Sequence, residues 1–205
     1  MKLTTLLLMV IKFHQLFGQK TDTARFGDGT IESIGETGEK GKSGVWRHFY
    51  PGGELNALLT YKKDELDGFQ MYYSFDGKLI GREFYVDGLM EDSATYYYPN
   101  GQLEKHGIYE NGLYEGRWTF YHENGNLKRI GAYKDGSPNG EWEFYFENGQ
   151  LNQKGRLVDG LEDGLWIYFD EDGNQLYEGK WEQGEKVGQW YTFRKGRKKE
   201  WKNFD

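Results

Sequence analysis

The stretch Gly116 to Asn139, GRWTFYHENGNLKRIGAYKDGSPN, aligns without a gap on the next stretch, Gly140 to Asp163, GEWEFYFENGQLNQKGRLVDGLED. Glycine falls on glycine, tryptophan on tryptophan, tyrosine on tyrosine and Asn-Gly on Asn-Gly. Stepping by this period of 24 residues gives units that start at Gly44, Gly68, Asp92, Gly116, Gly140, Gly164 and Gly188, the last one truncated. Self-similarity at a fixed period of this size means an array of supersecondary units, each contacting its neighbours, with no single central core. Chain length then counts repeats, and the domain reading is a tandem array over 44–205.

Each unit reads as two strands. The aromatic run at repeat positions 2 to 7, such as RWTFYH or EWEFYF, is followed by Asp/Asn-Gly at positions 9 and 10 (Asp76-Gly77, Asn100-Gly101, Asn124-Gly125, Asn148-Gly149, Asp172-Gly173). A second run opens with Leu55, Leu79, Leu103, Leu127 or Leu151 and closes with Tyr61, Tyr85, Tyr109, Tyr133 or Trp181. Asn-Gly between strand runs is a hairpin signal, and the reading assigns it a type I′ turn with both central residues at positive φ. A second turn, often Asp/Asn-Gly again, leads to the next unit. The fold class is therefore all-β: an elongated, open antiparallel meander of tandem hairpins, built as a twisted single sheet or solenoid-like array.

One correlation says how units touch. Gly35, Gly107, Gly131, Gly155 and Gly179 are each followed eleven residues later by Trp46, Trp118, Trp142, Trp166 and Trp190, and where the glycine is Leu59 or Glu83 the tryptophan is Gln70 or Ala94. A large ring over a glycine of the adjacent strand fills the space of the missing side chain, so each Trp is expected to lie on the Gly of the preceding unit. Burying about 200 Å² of indole is worth at most about 5 kcal/mol before entropy is subtracted. The same count sets Tyr109, Tyr133 and Trp181 opposite the first glycine of the next unit. By alternation the Trp, position 5 and the leucine share one face, and position 6 points to the other.

This arrangement of Gly, Trp, paired aromatics, Asn/Asp-Gly and Leu, then G-x-Y and Asp/Asn-Gly, resembles the MORN repeat over Gly44 to Gly188, and more closely the variant form of bacterial tandem arrays. The resemblance implies a twisted sheet of stacked hairpins that binds or scaffolds and carries no catalysis of its own; variant arrays often bear an antitoxin-like label. The units at Gly68 and Asp92 depart from the pattern, which implies less regular stacking there.

Residues 1–19 stand apart. Lys2, the apolar run Leu3 to Ile11 and Leu16-Phe17-Gly18 have the layout of a secretory signal peptide, too short to anchor in a bilayer, so no transmembrane segment is expected after its removal. Residues 20–43 read as a degenerate capping half repeat, with Asp28-Gly29, Ile31 and Gly35 in phase. Low overall hydrophobicity (37%) with many aromatics (18%) and 30 glycines fits a turn-rich folded array. A net charge of −7 argues against general affinity for nucleic acid. The absence of cysteine excludes disulfides, thiol catalysis and thiolate metal sites.

Catalytic and cofactor chemistry has no sequence support. His48, His106 and His122 lie at different repeat positions and lack ligand spacing. Asp67, Glu91, Glu115 and Asp163 form a position-24 ladder that reads as solvated loop charge or as a weak cation attractor. Glu123 and Glu147 belong to turns, and no phosphate loop or nucleophile elbow is present. No catalytic residue, metal or cofactor is assigned. Arg194, Lys195, Arg197, Lys198, Lys199 and Lys202 form a basic C-terminus, read as an edge-protecting cap, with a contact to nucleic acid, anionic lipid or an acidic partner as the alternative.

The candidate partner-binding residues are tyrosines. Tyr72, Tyr73, Tyr96, Tyr97 and Tyr98 cluster where the Gly and Trp pattern fails, and Tyr121 and Tyr145 continue the position-6 row; the alternative is that tyrosine simply replaces tryptophan in the packing. The functional expectation is an exported, periplasmic or extracellular, non-enzymatic scaffold for another protein. Glycan or cell-wall binding through aromatic rows is one alternative. A cytoplasmic antitoxin-like inhibitor, with the leader retained, is the other.

Overall fold

A computed structural model describes residues 20–205; the leader expected at 1–19 lies outside them. The first strands are β1 (Lys20–Arg25), β2 (Ile31–Gly38), β3 (Gly41–Phe49) and β4 (Leu55–Lys62). The middle holds β5 (Glu65–Leu66), β6 (Gly68–Tyr73), β7 (Leu79–Val86), β8 (Leu89–Met90), β9 (Asp92–Tyr97) and β10 (Leu103–Glu110). Then follow β11 (Leu113–Tyr121), β12 (Leu127–Lys134), β13 (Ser137–Tyr145) and β14 (Leu151–Val158). The last are β15 (Leu161–Phe169), β16 (Gln175–Glu182), β17 (Glu185–Arg194) and β18 (Arg197–Phe204). The strands pair antiparallel in chain order, from β1 on β2 to β17 on β18, except that the short β5 and β8 pair only with β4 and β7, in one open sheet that is not closed into a barrel.

The two turns of a unit are built differently. At the position-9 turn only the glycine has positive φ (Gly101 88°, Gly125 87°, Gly149 87°), so the sequence-based type I′ assignment is corrected. His122 N–H donates to Asn126 O and Gly125 N–H to His122 O, which makes a three-residue loop: a type I turn closed by a left-handed glycine. The asparagine is needed there for its side chain. Asn124 Oδ1 accepts the Asn126 N–H, while its Nδ2 donates to Glu147 O of the next unit; Asn100 and Asn148 do the same with Glu123 and Glu171. The type I′ geometry belongs to the second turn, where Asn111 and Gly112 (52° and 79°) or Asp135 and Gly136 (51° and 82°) are both positive. These turns also dock on the unit before, since Gly136 N–H donates to Tyr114 O and Gly160 N–H to Pro138 O.

The seams between units close on the tryptophans. Trp46, Trp118, Trp142, Trp166 and Trp190 are at most 2% exposed. A Cβ added to Gly35, Gly107, Gly131, Gly155 or Gly179 would overlap the indole that lies on it. The strand register shifts at each of these glycines, which locally disrupts the ladder. The indole N–H then satisfies the next carbonyl: Trp118 to Ile108 O, Trp142 to Ala132 O, Trp166 to Arg156 O, Trp190 to Lys180 O and Trp46 to Glu36 O, at 2.9–3.2 Å. Trp142, Phe144, Trp166, Tyr168 and Trp190 continue as a column of rings with neighbouring centroids 5.8–6.3 Å apart.

Two facing expectations are corrected. Position 18 pairs with the first glycine of its own unit, as Tyr133 with Gly116 and Trp181 with Gly164; only its ring reaches forward, edge-on to the next tryptophan (Tyr133 to Trp142, 5.2 Å and 82°). The position-12 leucine pairs with position 6 (Leu127 with Tyr121, Leu151 with Tyr145), so it leaves the tryptophan face. A residue bulged from each hairpin shifts the alternation there.

The irregular units keep the sheet continuous by other means. Gln70, fully buried, accepts Thr60 N–H at 2.7 Å and donates to Thr60 O and Gly68 O at 3.1 Å, so its amide reaches the backbone that an indole reaches elsewhere. Glu83, 7% exposed, occupies the glycine position facing Ala94 and accepts Tyr96 Oη at 2.7 Å and Tyr85 Oη at 3.2 Å. The long strand of a regular unit is cut in two here, with β4 pairing both β5 and β6 and β7 pairing both β8 and β9.

Candidate binding surfaces

The register assigns positions 3, 5, 14, 16 and 18 to the tryptophan face and positions 2, 4, 15 and 17 to the opposite face. The seven candidate tyrosines divide between them, and all are half-buried. Tyr72 and Tyr96 belong to the tryptophan face, where their rings flank Gly81 and Tyr96 holds Glu83. Burial, with the Glu83 charge beside them, raises the phenol pKa of both, and raises that of Tyr85 to about 12. Tyr98 is a stitch between units: its hydroxyl donates to Tyr121 O at 2.8 Å, as Tyr50 does to Tyr73 O. Tyr73, Tyr97, Tyr121 and Tyr145 lie on the opposite face, with Tyr121 stacked on His106 at 6.1 Å and Tyr145 Oη donating to Glu143 Oε2 at 2.7 Å.

That opposite face is concave in the regular units. A groove of about 770 Å³ crosses β11 to β15, lined by Arg117, Ile130, Ala132, Glu141, Glu143, Lys154, Arg156, Asp163, Leu165 and Ile167, among others. Glu141 is in register with Arg156 and Glu143 with Lys154, so charges of both signs alternate around a strip of aliphatic side chains. The sequence reading missed this groove. Its signal is the opposite charges of positions 2 and 4 against 15 and 17, which becomes visible only once the hairpin register is known.

The other candidates have structural partners. Of the position-24 carboxylates, Glu91 Oε1 accepts Asn111 N–H and Glu115 Oε2 accepts Asp135 N–H, both at 2.9 Å, Asp67 meets Lys62 at 3.1 Å, and Asp163 lines the groove. His122 Nε2 lies 3.1 Å from Tyr145 O, and burial lowers the pKa of His48. Among the described residues no group of three or more His, Cys, Asp or Glu side chains is placed to hold a metal ion. No helix among them is long and apolar enough to cross a membrane. At the C-terminal strand Trp201 and Phe204 pack on Trp190 (6.3 and 5.8 Å), and Lys198 bonds Glu178 at 2.6 Å.

Comparison with known proteins identifies the repeat. The MORN repeat variant matches residues 42–63, 93–111, 114–135 and 138–158. No curated protein matches the chain significantly. Among solved structures the chain is similar to a GtfA/B complex bound to UDP and GlcNAc (16% identity, 57% of this chain and 23% of that one, TM-score 0.26). It is also similar to a TcdB2-TccC3-TEV structure (12% identity, 86% and 12%, TM-score 0.23) and to a porin-like protein from Bacteroides uniformis (10% identity, 89% and 87%, TM-score 0.22). The chain thus spans 23% and 12% of the first two, and TM-scores this low carry no argument about fold or activity.

Proposed function

We propose that this chain, a MORN repeat protein of the variant type, is a non-enzymatic scaffold that binds another protein on the face opposite its tryptophan column. MORN repeats are a non-enzymatic repeat type and generally serve as protein- or membrane-binding scaffolds. What carries the choice of face is the groove over β11 to β15: apolar side chains rimmed by three cations and three anions suit a polar rim and apolar centre in a partner surface. The row Tyr73, Tyr97, Tyr121 and Tyr145 extends the same face with large, low-entropy side chains of the type that dominates protein interfaces. The signal-peptide layout of residues 1–19 supports export, so the partner is sought in the envelope or outside the cell.

Affinity capture from the native host, with sequencing of the mature N-terminus, tests both parts. Leu165→Arg, at a groove residue 52% exposed, is expected to reduce partner capture at least tenfold, and Tyr97→Ala to weaken it. Val86→Arg, outside the groove, is expected to leave capture unchanged. Equal capture by the Leu165 and Val86 variants overturns the choice of face, and a mature chain that retains Met1 overturns export.

A further inference from the structure

The tryptophan face carries charge at one place that the scaffold reading does not use. Position 14 is Ala57, Gly81, Lys105, Arg129, Gln153 and Tyr177 in successive units, so two cations stand on adjacent rungs. Lys105 is in register with Phe120, and Phe120 with Arg129, so the two cations stand on the strands either side of the one that carries Phe120. The Arg129 guanidinium carbon lies 4.2 Å from the Phe120 centroid, and Lys105 Nζ lies 4.3 Å from the Tyr96 centroid and 2.8 Å from Tyr114 Oη. Lys128 joins them around a pocket of about 290 Å³ that Tyr98, Tyr114 and Tyr121 also line.

Charge in this pocket is not balanced from within. Glu104 is its one carboxylate against three cations, and none of the three belongs to an ion pair among the described residues. Arg129 Nε is sealed from water and lacks a hydrogen-bond partner. A buried donor left unmade costs about 1–3 kcal/mol, and three cations around one pocket repel one another. One anion in the pocket relieves that repulsion.

We propose that this pocket binds a carboxylate, presented by an Asp/Glu-rich segment of a protein partner. The two terminal nitrogens of the guanidinium, met end-on, match the two oxygens of a planar carboxylate. The tyrosine and phenylalanine rings accept the methylenes of an acidic side chain, and the volume suits one such side chain rather than a bulky headgroup. Lys105, Phe120 and Arg129 belong to the tryptophan face, opposite the groove, and the proposal rests on them rather than on Tyr121, which the pocket shares with the tyrosine row.

The test follows the Arg129 Nε–H resonance by NMR in the full chain as hexaglutamate is added, with hexalysine and inorganic phosphate as separate arms. The expected result is a saturable shift with hexaglutamate and none with hexalysine. Arg129→Met and Lys105→Met, which keep the stacking stems, are each expected to weaken hexaglutamate binding at least tenfold with the unfolding midpoint retained; Arg129→Lys is expected to recover part of it. No shift, or undiminished affinity in both Met variants, overturns the proposal. Phosphate that displaces hexaglutamate at equal concentration overturns the carboxylate assignment. Partner capture that survives in Arg129→Met alongside lost hexaglutamate binding leaves the groove reading untouched.

Discussion

At Gly131 one methyl group decides whether a seam closes. The indole of Trp142 occupies the space a Cβ would need, and its N–H holds the carbonyl of Ala132. Gly131→Ala therefore forces the ring off its seat, and the expected loss is about 1–3 kcal/mol in urea unfolding, the range for overpacking a core. Gly38→Ala, where a Cβ meets nothing within 4 Å, is expected to stay within about 0.5 kcal/mol. The paired absence at Leu59 and Gln70 yields a sharper expectation. Gln70→Trp alone drives an indole into Leu59, and Leu59→Gly alone leaves a void. Together they recreate the regular seam, so a double-mutant cycle is expected to show favourable coupling of about 1 kcal/mol or more. Additive losses would mean the two positions do not form one unit of packing.

The hairpin shows where reading by dipeptide stops. Asn124-Gly125 and Asn111-Gly112 are the same pair, yet only the second is a type I′ turn. What separates them is the number of residues between paired strand ends, and that number is fixed by the bulge between Phe120 and Tyr121, which no dipeptide encodes. The existence of both strands, their order and the Trp-on-Gly seam were legible because a repeat supplies its own internal comparison. The bulges were not, and so Leu127 was assigned to the wrong face and Tyr133 was set against Gly140, where the register across the seam gives Pro138. Asn124→Ala removes the bond to Asn126 N–H and the bond to Glu147 O of the next unit. The expected cost is about 1–2 kcal/mol by denaturant unfolding, one ordinary hydrogen bond each. An unchanged midpoint would mean that the lateral asparagine ladder contributes nothing.

Across the whole array the candidate site was only half legible. Aromatic content marked Tyr72 and Tyr96 as unusual, but a tyrosine that replaces an indole in packing and one that faces a partner look alike until Glu83 is seen beneath the first kind. The charge column of the groove needed the register. The same buried tyrosines set a pH dependence. Burial raises the phenol pKa of nine tyrosines, and those of Tyr85, Tyr145 and Tyr168 reach about 12. The unfolded chain ionises near pH 10 and gives up protons before the folded one does, so stability is full below pH 10 and falls as pH rises toward 12. Urea midpoints are expected to be level from pH 8 to 9 and to drop steadily above pH 10; a flat profile to pH 11.5 would contradict the burial.

The seam itself is most directly read by NMR. An indole face seated on a glycine shifts that glycine's Hα protons strongly upfield through its ring current. Such shifts are expected at Gly35, Gly107, Gly131, Gly155 and Gly179, with cross-relaxation to Trp46, Trp118, Trp142, Trp166 and Trp190, and ordinary Hα shifts at Gly27 and Gly38. Ordinary shifts at all seven glycines would contradict the Trp-on-Gly seam.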